Sequence, residues 1–312
     1  MNDPVAAVTP HNLGIIYAYL GDYDKSLAAS REVLKLNPGS GSAYVTLVSS
    51  YQYLNRFDEA KATAQEAQAH NLDSPQMHLS LYLLDFLQHN AAGMEQDVAG
   101  LMGKPGYEDQ VLYNESDTAA FVGQFAKARE LTRRAAESAQ RADEKETAAG
   151  YEAEAAVREA LVGNRALAKQ QAQAALALSN ARDVAGMSAI ALGRAGDSAQ
   201  ANWLAADLGK RFPEDTIAQL NYLPMIHAAA ALRGSDTGKA IEALAAAVPY
   251  ELGVGFSLYP VYLRGEAYLA AKAGHRRCCR VSEDSRPPRR RRQRAHRRTG
   301  PPATGQGLRA FR

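Results

Sequence analysis

The chain has 312 residues and a formal net charge of +2, but this charge averages two unlike parts. Residues 275–312 hold 13 arginines, no lysine and two acidic residues, which leaves 23 basic and 32 acidic residues in 1–274, a net charge of about −9. No run of about 18 apolar residues occurs, and no basic start precedes an apolar segment. The composition therefore excludes a membrane span and a signal peptide, and as written it predicts a soluble, cytoplasmic chain.

The first predicted element is an antiparallel helix pair within 12–38. Gly14 is small enough for a neighbouring helix to approach, and Tyr17 fills the seam on the same face. Gly21 can adopt the left-handed conformation that ends a helix, and Asp22 can cap the helix that follows. This order of residues predicts helix, tight turn and helix.

A degenerate copy of the same pattern follows at 46–72, about one repeat later. Asn55 replaces the turn glycine, because asparagine also tolerates positive φ. The apolar and small residues at equivalent offsets are Leu47, Tyr51, Phe57, Ala60, Ala64 and Ala67. Two matches at one spacing indicate an array of repeats.

These residues resemble the tetratricopeptide repeat family, with the best copies over residues 7 to about 74. The resemblance implies an all-α solenoid, a right-handed superhelix of antiparallel helix pairs whose first helices line a concave groove. Residues 1–274 have room for about seven to eight repeats of about 34 residues, and strand-type alternation is essentially absent.

Farther along, turns followed by helices rich in small residues recur at Gly123, Gly163 and Gly196, and more weakly at Gly234. The segment 75–103 is degenerate, since it lacks the usual turn residues around His89 and Asn90, but it is still predicted to be helical. A final first helix is predicted from Tyr259 to Ala273, with an apolar stripe left without a partner helix.

The arginine-rich and proline-rich tail, 275–312, has three interpretations: a nucleic-acid-binding or membrane-binding arm, a disordered solvated tail, or a shifted reading frame. The third can be tested by hand. When the tail is given GC-rich codons and the reading frame is moved by one base, the new frame reads TAAAAEFQKIL and then DHRGVVVNEPIGALAHLQLGKGYALS. This sequence has the pattern of a second repeat helix followed by a new first helix. We therefore favour a disordered frameshift product, in which Cys278 and Cys279 have no redox or metal role.

No catalytic or cofactor motif is found. Gly253 and Gly255 lack the third glycine and the lysine of a phosphate-binding loop. The seven histidines are scattered rather than clustered as metal ligands, and His78 with Asp85 is interpreted as surface or groove polarity rather than a catalytic pair. We expect no enzymatic activity, no cofactor and no metal site.

The family pattern places candidate partner-binding residues on the groove faces of successive first helices. They are His11, Tyr19, Ser49, Gln52, Tyr53, Tyr113 and Asp117. Tyr19 and Tyr53 are the preferred anchors, because an aromatic ring with a polar tip gives much contact area at low entropy cost, although such tyrosines often serve only in packing. The acidic balance of 1–274 favours a neutral or basic partner.

The function predicted from this pattern is a non-catalytic scaffold that binds a peptide or protein in its groove. A second resemblance, carried by 113–131 and 259–274, is to the repeat region behind the catalytic domain of some bacterial Ser/Thr protein kinases. It implies the alternative of a detached sensory or regulatory segment of such a kinase, or of a transcription regulator, with Met1 as an internal methionine. Nucleic-acid binding through the tail is a more distant third.

Overall fold

The computed structural model describes residues 8–254 and 258–271, and within them the chain forms helices without strands. The helices are α1 (Val8–Tyr19), α2 (Tyr23–Leu36), α3 (Gly41–Tyr53), α4 (Phe57–Ala69), α5 (Pro75–Leu87), α6 (Ala91–Leu101), α7 (Glu108–Phe121), α8 (Phe125–Arg141), α9 (Lys145–Leu161), α10 (Arg165–Leu178), α11 (Arg182–Ala195), α12 (Ser198–Arg211), α13 (Leu223–Arg233), α14 (Thr237–Ala243) and α15 (Tyr259–Ala270). The expected all-α solenoid is confirmed.

The helices pack as antiparallel pairs, each stacked on the next. α1 packs on α2, α2 on α3 and so on along the chain, with α15 following the seventh pair of the described residues. Alanines fill the seams, and those of α4, α8 and α10 are almost fully buried: Ala60, Ala64, Ala67, Ala128, Ala135, Ala139, Ala168, Ala172 and Ala175. Such small side chains let helix axes approach closely, so each pair buries its apolar face on its neighbours.

The turns within the pairs have the predicted geometry. Gly21, Gly123, Gly163 and Gly196 all have positive φ, between 72° and 92°, and Asn55 has φ 57°. The Asp22 side chain accepts a hydrogen bond from the backbone N–H of Lys25, as expected of a cap, and this leaves one fewer unsatisfied donor at the start of α2. In the weaker unit near residue 234 the left-handed residue is Ser235, at φ 60°.

The atypical segment 75–103 forms α5 and α6. Contrary to the sequence-based expectation, its turn is present and is built by the two residues thought not to provide it. His89 takes positive φ, 59°, and the Asn90 side chain accepts from the backbone N–H of Gly93. Histidine and asparagine are among the non-glycine residues that most often adopt this conformation, so the repeat geometry persists without a glycine.

A π-helical segment, Ala218–Tyr222, precedes α13 and was not predicted. The Tyr222 ring lies against Gly186 of α11, so closely that a Cβ at Gly186 would stand 2.4 Å from a ring carbon. The π-helical segment thus ends at Tyr222, the residue whose ring packs against α11 at Gly186, where α11 has no side chain.

At the end of the described chain, Tyr262 and Leu269 of α15 are exposed, 44% and 61% respectively, as expected of a first helix without a partner on one face. The predicted tail, 275–312, lies outside the described residues, as do 272–274. No helix among the described residues has the length and apolar character needed to cross a membrane.

The first and last parts of the array touch. The Tyr23 hydroxyl donates to the backbone carbonyl of Leu252 at 2.6 Å, across 229 residues of sequence. The backbone of Leu252 also lies beside Gly21, where a Cβ would meet its carbonyl carbon at 2.9 Å. Next to this contact, the buried carboxylate of Glu251 pairs with Arg264 of α15 through two hydrogen bonds of 2.5 and 2.7 Å. We call the Tyr23–Leu252 contact the end-to-end tie.

Candidate functional site

An open cavity of about 550 Å³ lies on the face built by the first helices α3, α5 and α7. Its apolar walls come from all three helices: Tyr53, Leu79, Leu83, Phe86, Leu87 and Phe121. The Tyr82 hydroxyl forms a 2.7 Å hydrogen bond with Thr118, which ties α5 to α7 beside the cavity. We call this cavity and its walls the groove site.

Several walls of the groove site are exposed although they are large and apolar. Phe121 is 68% exposed, Leu87 48% and Leu83 40%. Phe86 packs edge-on against Phe121, with ring centroids 5.5 Å apart, and so fixes the orientation of the more exposed ring. The four residues together form an apolar patch that the described chain itself leaves uncovered.

Amide and hydroxyl groups lie beside this patch. The polar lining residues are Ser49, Gln52, Gln76, Ser80, Gln110, Asn114, Asp117 and Thr118. Gln52 donates its side-chain N–H to the backbone carbonyl of Ser80 at 2.7 Å, which fixes α3 against α5. The site can therefore accept apolar side chains and hydrogen-bond to a peptide backbone in the same cavity.

Four of the seven residues predicted for partner binding meet in the groove site: Ser49, Gln52, Tyr53 and Asp117. Tyr53 is half exposed, and its ring stacks on Tyr23 at a centroid distance of 4.7 Å. The other three do not line it. Tyr113 lies one turn before Asp117 on α7, whereas His11 and Tyr19 are on α1.

Four apolar walls on α5 and α7 were not among the residues predicted from the sequence: Leu83, Phe86, Leu87 and Phe121. The sequence of α5, PQMHLSLYLLDFL, did contain a signal, because its apolar residues surround the helix instead of forming one stripe. A helix of this kind has a second apolar face beyond the one that packs on its neighbours.

Next to the groove site, the first helices α7 and α9 carry a charged network. Tyr113 stacks on Tyr151, and its hydroxyl donates to the carboxylate of Glu154. Arg158 donates to Asp117 at 2.7 Å. Arg158 also donates to two hydroxyls, those of Ser116 at 3.1 Å and Thr132 at 2.8 Å.

The pKa values of the two carboxyls in this network are both raised. Burial among protein atoms raises the pKa of Glu154, and the negative charge of Asp117 adds to it, while the hydrogen bond from Tyr113 and the charge of Arg158 offset part of the effect. Burial likewise raises the pKa of Asp117, against the lowering effect of Arg158. Two carboxyl groups, Asp117 and Glu154, thus interact with one cation, Arg158, and their ionised forms give this part of the first-helix face more negative than positive charge.

His78 has different partners from the one considered in the sequence. Its Nδ1 lies 2.6 Å from an Asp97 oxygen and its Nε2 3.0 Å from Asp73, whereas Asp85 accepts from Asn90. Burial lowers the pKa of His78, but the hydrogen bonds to the two aspartates outweigh it and raise the pKa above the ordinary value of 6.5. Within the described residues no group of three or more His, Cys, Asp or Glu is arranged to hold a metal ion.

Comparison with known proteins gives one family and several solved structures. Residues 17–82, which span most of α2–α5, match the Tetratricopeptide repeat family. The structure of PilW, a type IV pilus biogenesis factor, is similar at 19% identity, with 71% of this chain and 98% of that chain covered and a TM-score of 0.44. Pseudomonas aeruginosa pilF matches at 13% identity, with 78% and 97% covered and a TM-score of 0.42. Yeast Tom70 matches at 13% identity, with 90% and 77% covered and a TM-score of 0.35.

Proposed function

We propose that this chain, of which residues 17–82 match the Tetratricopeptide repeat family, is a non-catalytic scaffold that holds a peptide or a partner protein in the groove formed by its first helices. The groove site between α3, α5 and α7 is the observation that carries this proposal. It is open, its walls are apolar and aromatic, and amide side chains stand beside those walls.

The exposure of Phe121 and Leu87 supports a protein ligand. Burial of a phenylalanine or leucine side chain contributes about 1.5–3 kcal/mol, so leaving both in water forgoes a stabilisation that a ligand could recover. Their neighbour Phe86 holds Phe121 in place, so little ordering cost would accompany binding. Aromatic side chains at the centre of a patch are typical of residues that dominate binding energy.

A displayed library of random peptides tests the proposal. We expect peptides selected on the full chain to lose at least tenfold in affinity when Phe121 is changed to alanine, because one buried aromatic contact contributes more than 1.4 kcal/mol. Trp203→Ala is the matched control, since Trp203 is 65% exposed but lies on a second helix, α12. Titration by fluorescence anisotropy would refute the proposal if selected peptides lost as much affinity with Trp203→Ala as with Phe121→Ala.

The alternative proposal is a regulatory segment separated from a bacterial Ser/Thr protein kinase or transcription regulator. It is supported by the exposed residues of α15, Tyr262 and Leu269, which lie just before the predicted change of frame. The shifted frame supplies a second repeat helix, the element that would cover this face. Resequencing the gene with its flanks decides it: a kinase domain upstream and a one-base slip near Gly274 support it, and an intact frame with an independent start refutes it.

The arginine-rich tail leaves nucleic-acid binding as a third proposal, on composition alone. Salt-dependent binding of nucleic acid by the full chain, lost when 275–312 are deleted, would support it. Equal binding with and without those residues would refute it.

A further inference from the structure

We propose that the groove site selects a peptide segment in which a large apolar side chain is followed or preceded, two or three residues away, by a lysine or arginine that pairs with Glu154. This inference rests on the proposed function and specifies the chemistry of the ligand. The apolar side chain enters between Leu87 and Phe121, and the cation reaches the neighbouring acidic part of the first-helix face.

The choice of Glu154 follows from how the nearby cations are already used. Arg158 is committed to Asp117 and to two hydroxyl groups. Arg182 is committed to Asp183 and Asp215, at 2.7 Å from each. No lysine, arginine or histidine of the described residues pairs with Glu154, whose carboxylate accepts a hydrogen bond from the neutral Tyr113.

A ligand can reach the carboxylate of Glu154, and without a ligand the negative charge of that carboxylate is unfavourable. The residue keeps contact with solvent on the first-helix face, yet protein atoms crowd its carboxyl, and burial and Asp117 together raise its pKa. A ligand cation would relieve that unfavourable field, and it would meet an acceptor oriented by the Tyr113 hydroxyl. An acidic segment at the same place would add a like charge beside two carboxylates.

The geometry of α7 sets the spacing. Phe121 lines the groove site, and Tyr113, which holds Glu154, lies eight residues earlier on the same helix. Eight residues rise about 12 Å along an α-helix, and an extended peptide advances about 3.3 Å per residue. Allowing for the reach of a lysine or arginine side chain, the apolar and basic residues of the ligand stand two or three positions apart.

The negative charge of this face excludes other occupants. A phosphate group or a nucleic acid would bring negative charge to a face where the charge of Asp117 already raises the pKa of Glu154. A purely apolar segment would fill the cavity but leave Glu154 without a cation. A segment with both groups satisfies the cavity and the carboxylate together.

The test uses the full chain and labelled twelve-residue peptides with one phenylalanine and one lysine at separations of one to six, in a neutral background. We expect the lowest Kd at separations of two and three. Replacement of that lysine by glutamine should weaken binding about three- to tenfold, the range for a partly exposed ion pair and its hydrogen bonds. The difference should shrink as salt rises from 50 to 300 mM.

Glu154→Gln supplies the matched partner of a double-mutant cycle. Glutamine still accepts from Tyr113, so the fold is retained, and we expect the lysine peptide to bind this variant no better than the glutamine peptide binds the unchanged chain. Glu146→Gln, an exposed position in the first turn of the same helix, is the control and should leave every Kd unchanged.

The results of these experiments distinguish this inference from the proposed scaffold function on which it rests. Peptide binding that depends on Phe121 but not on Glu154 or on the spacing would overturn the inference and leave the scaffold function standing. Failure of every peptide to bind in a Phe121-dependent manner would overturn both. A preference for glutamate over lysine in the peptide would also overturn the inference, because it would place an unrecognised cation at the site.

Discussion

Two helix glycines of this array should respond in opposite directions to the same substitution. Gly186 lies within α11 and Gly150 within α9. A Cβ at Gly186 would stand 2.4, 2.5 and 2.8 Å from three atoms of the Tyr222 ring, whereas a Cβ at Gly150 would meet nothing within 4 Å. Carbon atoms in contact prefer about 3.5–4.0 Å, so Gly186→Ala forces the buried ring to move by about 1 Å.

The magnitudes follow from two opposing terms. Alanine favours a helix interior over glycine by about 0.5–1 kcal/mol, which benefits both variants. Overpacking of a well-filled core costs about 1–3 kcal/mol, and only Gly186→Ala incurs it. We therefore expect Gly150→Ala to raise the free energy of unfolding by about 0.5–1 kcal/mol and Gly186→Ala, with its contact of 2.4 Å, to lower it by up to about 2.5 kcal/mol.

Urea denaturation followed by circular dichroism measures both variants. Equal m values would show that the change lies in stability and not in the extent of the unfolded surface. The result that would refute the reasoning is a stabilisation by Gly186→Ala equal to that by Gly150→Ala. Tyr222 would then have room to yield, and the π segment would not be held by its contact with α11.

Three further predictions concern stability. Glu251→Gln should lower the free energy of unfolding by about 3 kcal/mol, because it breaks a buried ion pair. Replacement of both Glu251 and Arg264 by leucine should restore most of that lost stability, and urea denaturation midpoints measure both variants. Because the pKa of His78 is raised in the folded chain, the stability that this residue contributes is complete below about pH 6.5 and is lost as pH rises through the folded pKa. The melting temperature of His78→Gln should therefore lie below that of the unchanged chain at pH 5.5 and equal it at pH 8.5. The pKa of Asp97 is raised by burial, so its contribution to stability is lost as pH rises from about 3.8 through the folded value. An equal difference in melting temperature between His78→Gln and the unchanged chain at pH 5.5 and 8.5 would contradict the assignment of His78. Tyr23→Phe removes the end-to-end hydrogen bond and should cost about 1 kcal/mol while increasing the radius of gyration measured by small-angle X-ray scattering; an unchanged radius would mean that other contacts close the array.

The parts of this fold that follow local rules could be predicted from sequence. Positive φ at Asn55 and the capping role of Asp22 depend on residues a few positions apart, and the structure has both. The turn at His89 was not predicted, because a histidine indicates the left-handed conformation less strongly than a glycine does. Helix periodicity was therefore sufficient for the architecture, but not for each turn.

The candidate site was predictable only in part, because its geometry depends on the register between repeats. The family pattern placed Ser49 and Asp117 on first helices, and the structure brings them to one cavity. The pairing of Tyr113 with Glu154 joins residues 41 positions apart, and the rotation of each helix about its axis determines it. The exposure of Phe121 depends on which apolar residues remain after neighbouring helices have packed, and composition does not report that.

The end-to-end tie changes how such an array can come apart. An open stack of repeats behaves as a one-dimensional chain, and its terminal units, with one neighbour each, fray first. Here the turn that begins with Gly21 is in contact with Leu252, so the first described pair of helices has a second neighbour near the end of the described residues. Closing that loop requires the intervening units to be in place, because the entropy of bringing distant segments together must be offset by contacts already made. The hydrogen bond from Tyr23 should therefore form last in folding. Amide exchange in α1 and α2 should become faster when any of the units between Tyr23 and Leu252 unfolds.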